Sequence, residues 1–190
     1  MSENSIAENS NSEHSWLTLA DRVAKHAHNY LTGLNAVATG EAGGHTVPLL
    51  LLEVSQIAVA GAQLGASTDV ILPDNWEPDV GEDPDLDMIR QGLAERLTAV
   101  DEYAEVFDPY KDAEPTVYRL SDDLVDVASD LVHGLRHYDA DRKLEALWWW
   151  QYSYFNHWGN HAGAALRALY AVSASARLDV MEEPVEPVAG

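Results

Sequence analysis

The sequence predicts an all-α fold, a single-domain bundle of about five helices flanked by disordered N- and C-terminal tails, and three observations carry that prediction. Apolar residues recur at three- and four-residue steps through most of the chain between Trp16 and Arg177. Glycine, proline and acidic clusters interrupt the rhythm at a few points, and no segment reads as a convincing strand. Four of the six tryptophans fall in one stretch, LWWWQYSYFNHWGNH (Leu147–His161). That density marks the centre of a core, since each large ring buries about 150–250 Å² when packed.

Each element follows from local signals. Residues 1–14 are rich in Ser, Asn and Glu and predict a disordered tail. A first helix carries Trp16, Leu19, Ala20, Val23, Ala27, Tyr30, Leu31, Leu34 and Val37 on one face and stops in the glycines of Gly40–Gly44. His26 and His28 fall off that face and are expected to be solvated. Thr46 predicts the N-cap of a second helix, with Pro48 tolerated in its first turn. This helix, to about Leu64, is apolar almost all round and is expected to be the most enclosed. Its Glu53, beside Gln56 and Gln63, is either a hydrogen-bonded structural group or a ligand held in a bundle core. The structural reading is favoured, because the glutamines can satisfy the carboxylate.

Three prolines make Asp69–Asp85 a loop. A third helix is expected from Leu86 to Phe107, followed by a Pro-punctuated connection from Asp108 to Leu120. Ser121 predicts the cap of a fourth helix, with Asp122 and Asp123 in its first turn, where the helix dipole favours negative charge. Leu124, Val127, Ala128, Leu131, Leu135 and Tyr138 form its apolar face. A break at Asp139–Asp141 precedes a fifth helix from Arg142 to Arg177. The bundle domain is thus expected over 15–176, with an acidic, Pro-containing tail over 177–190.

Composition restricts function. Eleven Lys and Arg stand against 32 Asp and Glu, a formal charge of −21. Such a surface repels phosphate backbones and anionic membranes, so neither nucleic acid nor membrane is expected as a partner. The absence of cysteine excludes disulfides, thiolate metal sites and cysteine nucleophiles. The most apolar run, Val47–Ala66, is interrupted by Glu53, Gln56 and Gln63 and reads as a buried helix. With no basic-apolar leader at the N-terminus, a cytoplasmic location is expected. No nucleophile elbow, phosphate loop or dinucleotide fingerprint occurs.

Two polar seams remain. On the fifth helix Trp150, Tyr154, His157 and His161 step by four, three and four. The i, i+4 histidines share one face, where a divalent metal can bridge them. Gly159 and Gly163 are expected to admit a neighbouring helix closely. The fourth helix carries Asp126, Asp130, His133 and His137 in the same steps, and Asp130-x-x-His133 has the spacing of metal-binding bundles. That stripe lies opposite the apolar face, so it is expected to be a solvated edge of local ion pairs. His157 and His161 are read either as core histidines or as metal ligands, with Glu53 as the prospective third ligand.

Several motifs together resemble the bacterial domain-of-unknown-function family 5063 (DUF5063). They are VFDPY (Val106–Tyr110), EP (Glu114–Pro115), LSDDL (Leu120–Leu124), ALWWW (Ala146–Trp150), F-x-HWG-x-HA (Phe155–Ala162) and ALRALY (Ala165–Tyr170). The clear match spans Tyr103 to Val172, with weaker similarity upstream. The resemblance implies a small helical cytoplasmic protein without an established activity. It places His157, Trp158, Gly159 and His161 in the family signature, leaves His133 and His137 outside it, and puts Trp149 where a polar residue is expected.

The leading expectation is therefore a non-enzymatic helical domain acting through protein contacts or self-association. Trp149 on the polar edge of the fifth helix, and Val125 and Val132 off the main face of the fourth, motivate it. The alternative is a metal-dependent hydrolase or oxidase using His157, His161 and Glu53, with a divalent metal as its cofactor.

Overall fold

A computed structural model describes residues 3–72, 78, 81–106, 108, 110–111 and 114–178, with side chains from residue 15 onward. Its elements in chain order are α1 (Glu3–Ala38), a 3₁₀ turn (Gly43–His45), α2 (Thr46–Ala66), α3 (Asp87–Leu97), β1 (Glu102–Glu105), β2 (Thr116–Arg119) and α4 (Leu120–Asp139). Then come α5 (Lys143–Ser153), a π-helical turn (Tyr154–Trp158) and α6 (Gly159–Leu178), which run on without interruption as the predicted fifth helix. The all-α bundle is as expected. Helical backbone also extends through residues 3–14, where the sequence predicts a tail. Residues 179–190 of the second expected tail, and residues 73–77 and 79–80 of the expected loop, lie outside the described residues.

The predicted face of α1 is the buried one: Ala20, Val23, Ala27, Tyr30, Leu34 and Val37 are all inaccessible. It packs on α2, α3, α4 and α5, while α2 lies between α1 and α6. α2 is not the most enclosed helix, contrary to its composition. Leu52 and Val59 on its outer face are more than half exposed, because its main neighbours, α1 and α6, leave that face open. Among the described residues, Gly43–Ala66 is long and apolar enough by length and composition to cross a membrane.

α4 takes the central place, with α1 and α3 on one side and α5 and α6 on the other. Trp150 crosses to it so closely that a Cβ at Gly134 would lie 2.0 Å from the indole nitrogen. The indole N–H donates to the Leu131 carbonyl at 3.2 Å, so the buried polar end of the ring is satisfied. Gly61 plays the same part on α2, where a Cβ would meet Tyr154 at 2.4 Å and Trp158 at 2.7 Å. The close helix approaches expected of Gly159 and Gly163 are made by these two glycines instead. Gly159 is crowded by its own rod's Tyr154 carbonyl, and Gly163 faces open space.

The third helix stops at Leu97, ten residues before the expected end, and a hairpin follows. β1 and β2 pair antiparallel with Tyr103 opposite Tyr118 and Ala104 opposite Val117. The aromatic cross-strand pair, with ring centroids 6.4 Å apart, and the β-branched Thr116 and Val117 outweigh a weak helical periodicity. The hairpin also supplies the cap of α4. That helix begins at Leu120 with Arg119 as N-cap and no side-chain capping bond of its own. Buried Asp101 accepts the Ser121 N–H at 2.8 Å and the Ser121 hydroxyl at 3.1 Å. Ser121 is therefore a donor within the first turn and not the cap. Thr46 likewise lies inside α2, its hydroxyl donating to Gly43 O at 3.0 Å.

Candidate metal centre

The inward polar stripe of α4 meets the π turn and the start of α6. Asp123, Asp126 and Asp130 step by three and four along α4, facing His157 and His161. His157 Nδ1 donates to Asp130 Oδ2 at 2.8 Å. One turn on, His161 Nδ1 donates to Asp123 Oδ1 at 2.7 Å. Asp126 Oδ2 lies 4.0 Å from His161 Nδ1. The two imidazoles stand edge to face with centroids 4.7 Å apart. One donor atom from each of Asp126, His157 and His161 lies within 4.8 Å of the others.

A further layer fixes the carboxylates. The Tyr103 hydroxyl donates to Asp123 Oδ2 at 2.5 Å. Arg90 of α3 bridges Asp122 at 2.6 Å and Asp126 at 3.4 Å. The Trp149 indole N–H donates to the backbone carbonyl of Asp130 at 3.1 Å. Asp123 and Asp130 are buried, whereas the His157 side chain is 49% exposed. The cluster is thus an anionic floor under two imidazoles, His157 reaching solvent and His161 largely covered.

The electrostatics follow from that layering. Burial pushes the Asp130 carboxyl above its usual range, and the hydrogen bond from His157 works against it. The Asp123 hydrogen bond raises the His161 imidazole, opposed in part by burial. Tyr103 is pushed far up, by burial first and by Asp123 second, so it keeps its proton and remains a donor.

The π turn sets the phase of the rod. Its wider i→i+5 bonding shifts side chains from the positions a continuous 3.6-residue period would give. Trp150 and Trp158 are both buried across it, while Phe155 within it is 65% exposed.

The structure brings some predicted groups together and separates others. The stripe of Asp126, Asp130, His133 and His137 is not a solvated edge: Asp130, His133 and His137 are buried because α4 is covered on both sides. His133 packs its ring on Trp149 at 5.5 Å, and His137 Nδ1 is bonded to Glu145 Oε2 at 2.9 Å. Glu53 does not join the two histidines. It lies over Gly33 of α1, its Cγ 2.9 Å from where a Cβ would stand. Its nearest charged influence is His26, and burial raises its carboxyl. His26, expected to be solvated, has its Nδ1 buried beside this carboxylate, while His28 is exposed as expected.

Trp149, Val125 and Val132, the three features expected to be exposed for self-association, are all at least half-buried. Trp149 is half-buried on α4 and Val125 is 1% exposed. Asp123, Tyr103 and Arg90 were not anticipated as site residues. Extending the α4 stripe back by one step of three reaches Asp123, whereas no local signal marks Tyr103.

Beside His161 a cleft of about 390 Å³ opens between the hairpin and α6, with Glu105, Tyr118, Asn160, Gly163 and Arg167 on its walls.

Fold and site together define an all-α bundle domain whose central helices are joined by paired carboxylate–histidine hydrogen bonds. The chain belongs to DUF5063, a domain of unknown function, whose family model matches residues 14–175. Its fold is similar to the crystal structure of protein BF1032 from Bacteroides fragilis, a structural-genomics target. The TM-score is 0.62 over 88% of this chain and 94% of that one, at 17% identity. No curated protein matches the sequence.

Proposed function

We propose that this domain binds one divalent transition-metal ion through His157, His161 and Asp126. One observation carries the reading: both i, i+4 imidazoles have Nδ1 committed to a buried carboxylate. Each therefore keeps Nε2 for a metal, the arrangement in which a carboxylate fixes ring orientation and raises ligand basicity. Asp126 supplies the oxygen donor next to them, in the place the sequence reading gave to Glu53.

Charge supports the same conclusion. Asp122, Asp123, Asp126 and Asp130 crowd one end of α4, and Arg90 bridges two of them. A divalent cation offsets the remainder. Two nitrogens and one carboxylate oxygen suit zinc, iron(II) or manganese(II). Three protein ligands leave coordination positions for water, so a bound ion supplies Lewis-acid or water-activating chemistry.

Elemental analysis of protein purified without a tag tests this, together with thermal unfolding after addition of zinc, iron(II) or manganese(II). The expected outcome is about one equivalent of metal and a raised Tm, because an ion that binds only the native state stabilises it. Both are lost in H157A and H161A and retained in H28A, a change at an exposed histidine. Metal-free protein whose Tm none of the three ions moves would overturn the reading.

A further inference from the structure

We infer that the cleft beside His161 is a receptor for a small ligand bearing an oxyanion, held by Arg167. Most polar groups of the cleft are already engaged. Asp123 accepts His161 on one oxygen and Tyr103 on the other. Glu105, 7% exposed, accepts its neighbour's Val106 N–H on Oε1 at 2.8 Å and Arg167 Nε on Oε2 at 3.0 Å. Arg167 Nη2 closes the fork on Oε1. Both carboxylates of the cleft are thereby occupied.

What remains is the outer edge of the Arg167 guanidinium, a donor only. The fork with Glu105 uses the Nε–Nη2 edge of the guanidinium and locks its plane. Among the described residues no other acceptor meets Arg167, whose side chain is 65% exposed. Asn160 and Tyr118 line the same cleft. A rigid guanidinium with its second edge free is the group that matches an oxyanion in two-point geometry. An oxyanion pairs the free guanidinium edge, whereas a cation leaves that edge unpaired and repels it.

The floor leaves room for it. A Cβ built at Gly163 meets nothing within 4 Å. The volume of about 390 Å³ lies at the small end of the range of ligand sites, roughly 300–1,000 Å³. The net charge of −21 disfavours extended polyanions such as nucleic acid and leaves a small mono- or dianion as the fitting ligand. At about 1.5 Å of rise per residue, Arg167 lies ~9 Å along the helix from His161. A short molecule anchored at Arg167 therefore extends toward the metal-facing histidine, a placement that rests on the metal reading above.

Calorimetric titration of the full chain with succinate and, separately, inorganic phosphate tests the receptor, on zinc-loaded and zinc-free protein, with uncharged succinamide as control. Whichever of the two anions binds identifies the source as carboxylate or phosphate, and succinamide does not bind. R167Q is expected to weaken the anion at least tenfold while zinc stoichiometry is unchanged. N160A, at an exposed side chain, is expected to weaken it several-fold, and serves if R167Q, with Glu105 left unpaired, does not fold. Anion binding that R167Q and N160A leave unchanged overturns the receptor, as does failure of both anions to bind wild-type protein. Anion binding without zinc, lost in R167Q, upholds the receptor even where the metal reading fails on its own stoichiometry.

Discussion

The two ends of the α4 polar stripe have the same sequence character and opposite surroundings. Toward the C-terminus, His137 is 2% exposed and bonded to Glu145, with the Arg142 guanidinium also on that carboxylate. Toward the N-terminus, Asp123 and Asp130 hold imidazoles from the π turn and α6, of which His157 reaches solvent and His161 is 16% exposed. One end is a sealed polar contact inside the core, and the other is an anionic floor open to an ion. Spacing alone does not separate these cases. What separates them is which element covers the stripe and whether the imidazole or the carboxylate lies deeper.

The largest expected effect breaks the sealed end. His137→Ala removes a buried ring and leaves the Glu145–Arg142 pair partly uncompensated, so chemical denaturation should show a loss of about 2–4 kcal/mol. Metal stoichiometry should stay as in wild type, and its loss would mean that the two ends are not independent. Asp123→Asn attacks the open end. It should lower metal affinity by about 10–100-fold at a smaller stability cost, and an unchanged affinity would remove the orienting role given to Asp123.

The smallest effect concerns Glu53, the carboxylate that joins neither end. Its folded-state pKa is raised by burial. Its contribution to stability is therefore fully present below the ordinary carboxyl pKa of about 4.3 and is lost as pH rises through the raised native value. Glu53→Gln should flatten that part of the stability–pH curve, leave metal binding alone and be neutral or slightly stabilising at pH 7. A steeper curve would assign Glu53 a favourable native partner.

These contrasts also mark how far the chain can be read unaided. Helical periodicity locates α1, α2 and α4 and the long rod, since burying one apolar face is the dominant local signal. His157 and His161 stand out by spacing. Asp126 and Asp130 are visible too, but a one-faced view turns them outward, and α4 is covered on both sides. Asp123 satisfies the helix dipole so well that a second role does not show. Tyr103 reaches Asp123 only through a hairpin, whose pairing between residues 102–105 and 116–119 is non-local. The π turn hides in the same way: it changes the phase of the rod without a break in composition.

The most direct test is calorimetric titration of zinc into metal-free protein, wild type beside the H157A/H161A double variant. The account predicts saturable binding of about one ion by wild type and none by the variant, with both proteins folded by circular dichroism. Equal binding by the two, or no binding by wild type, would contradict it.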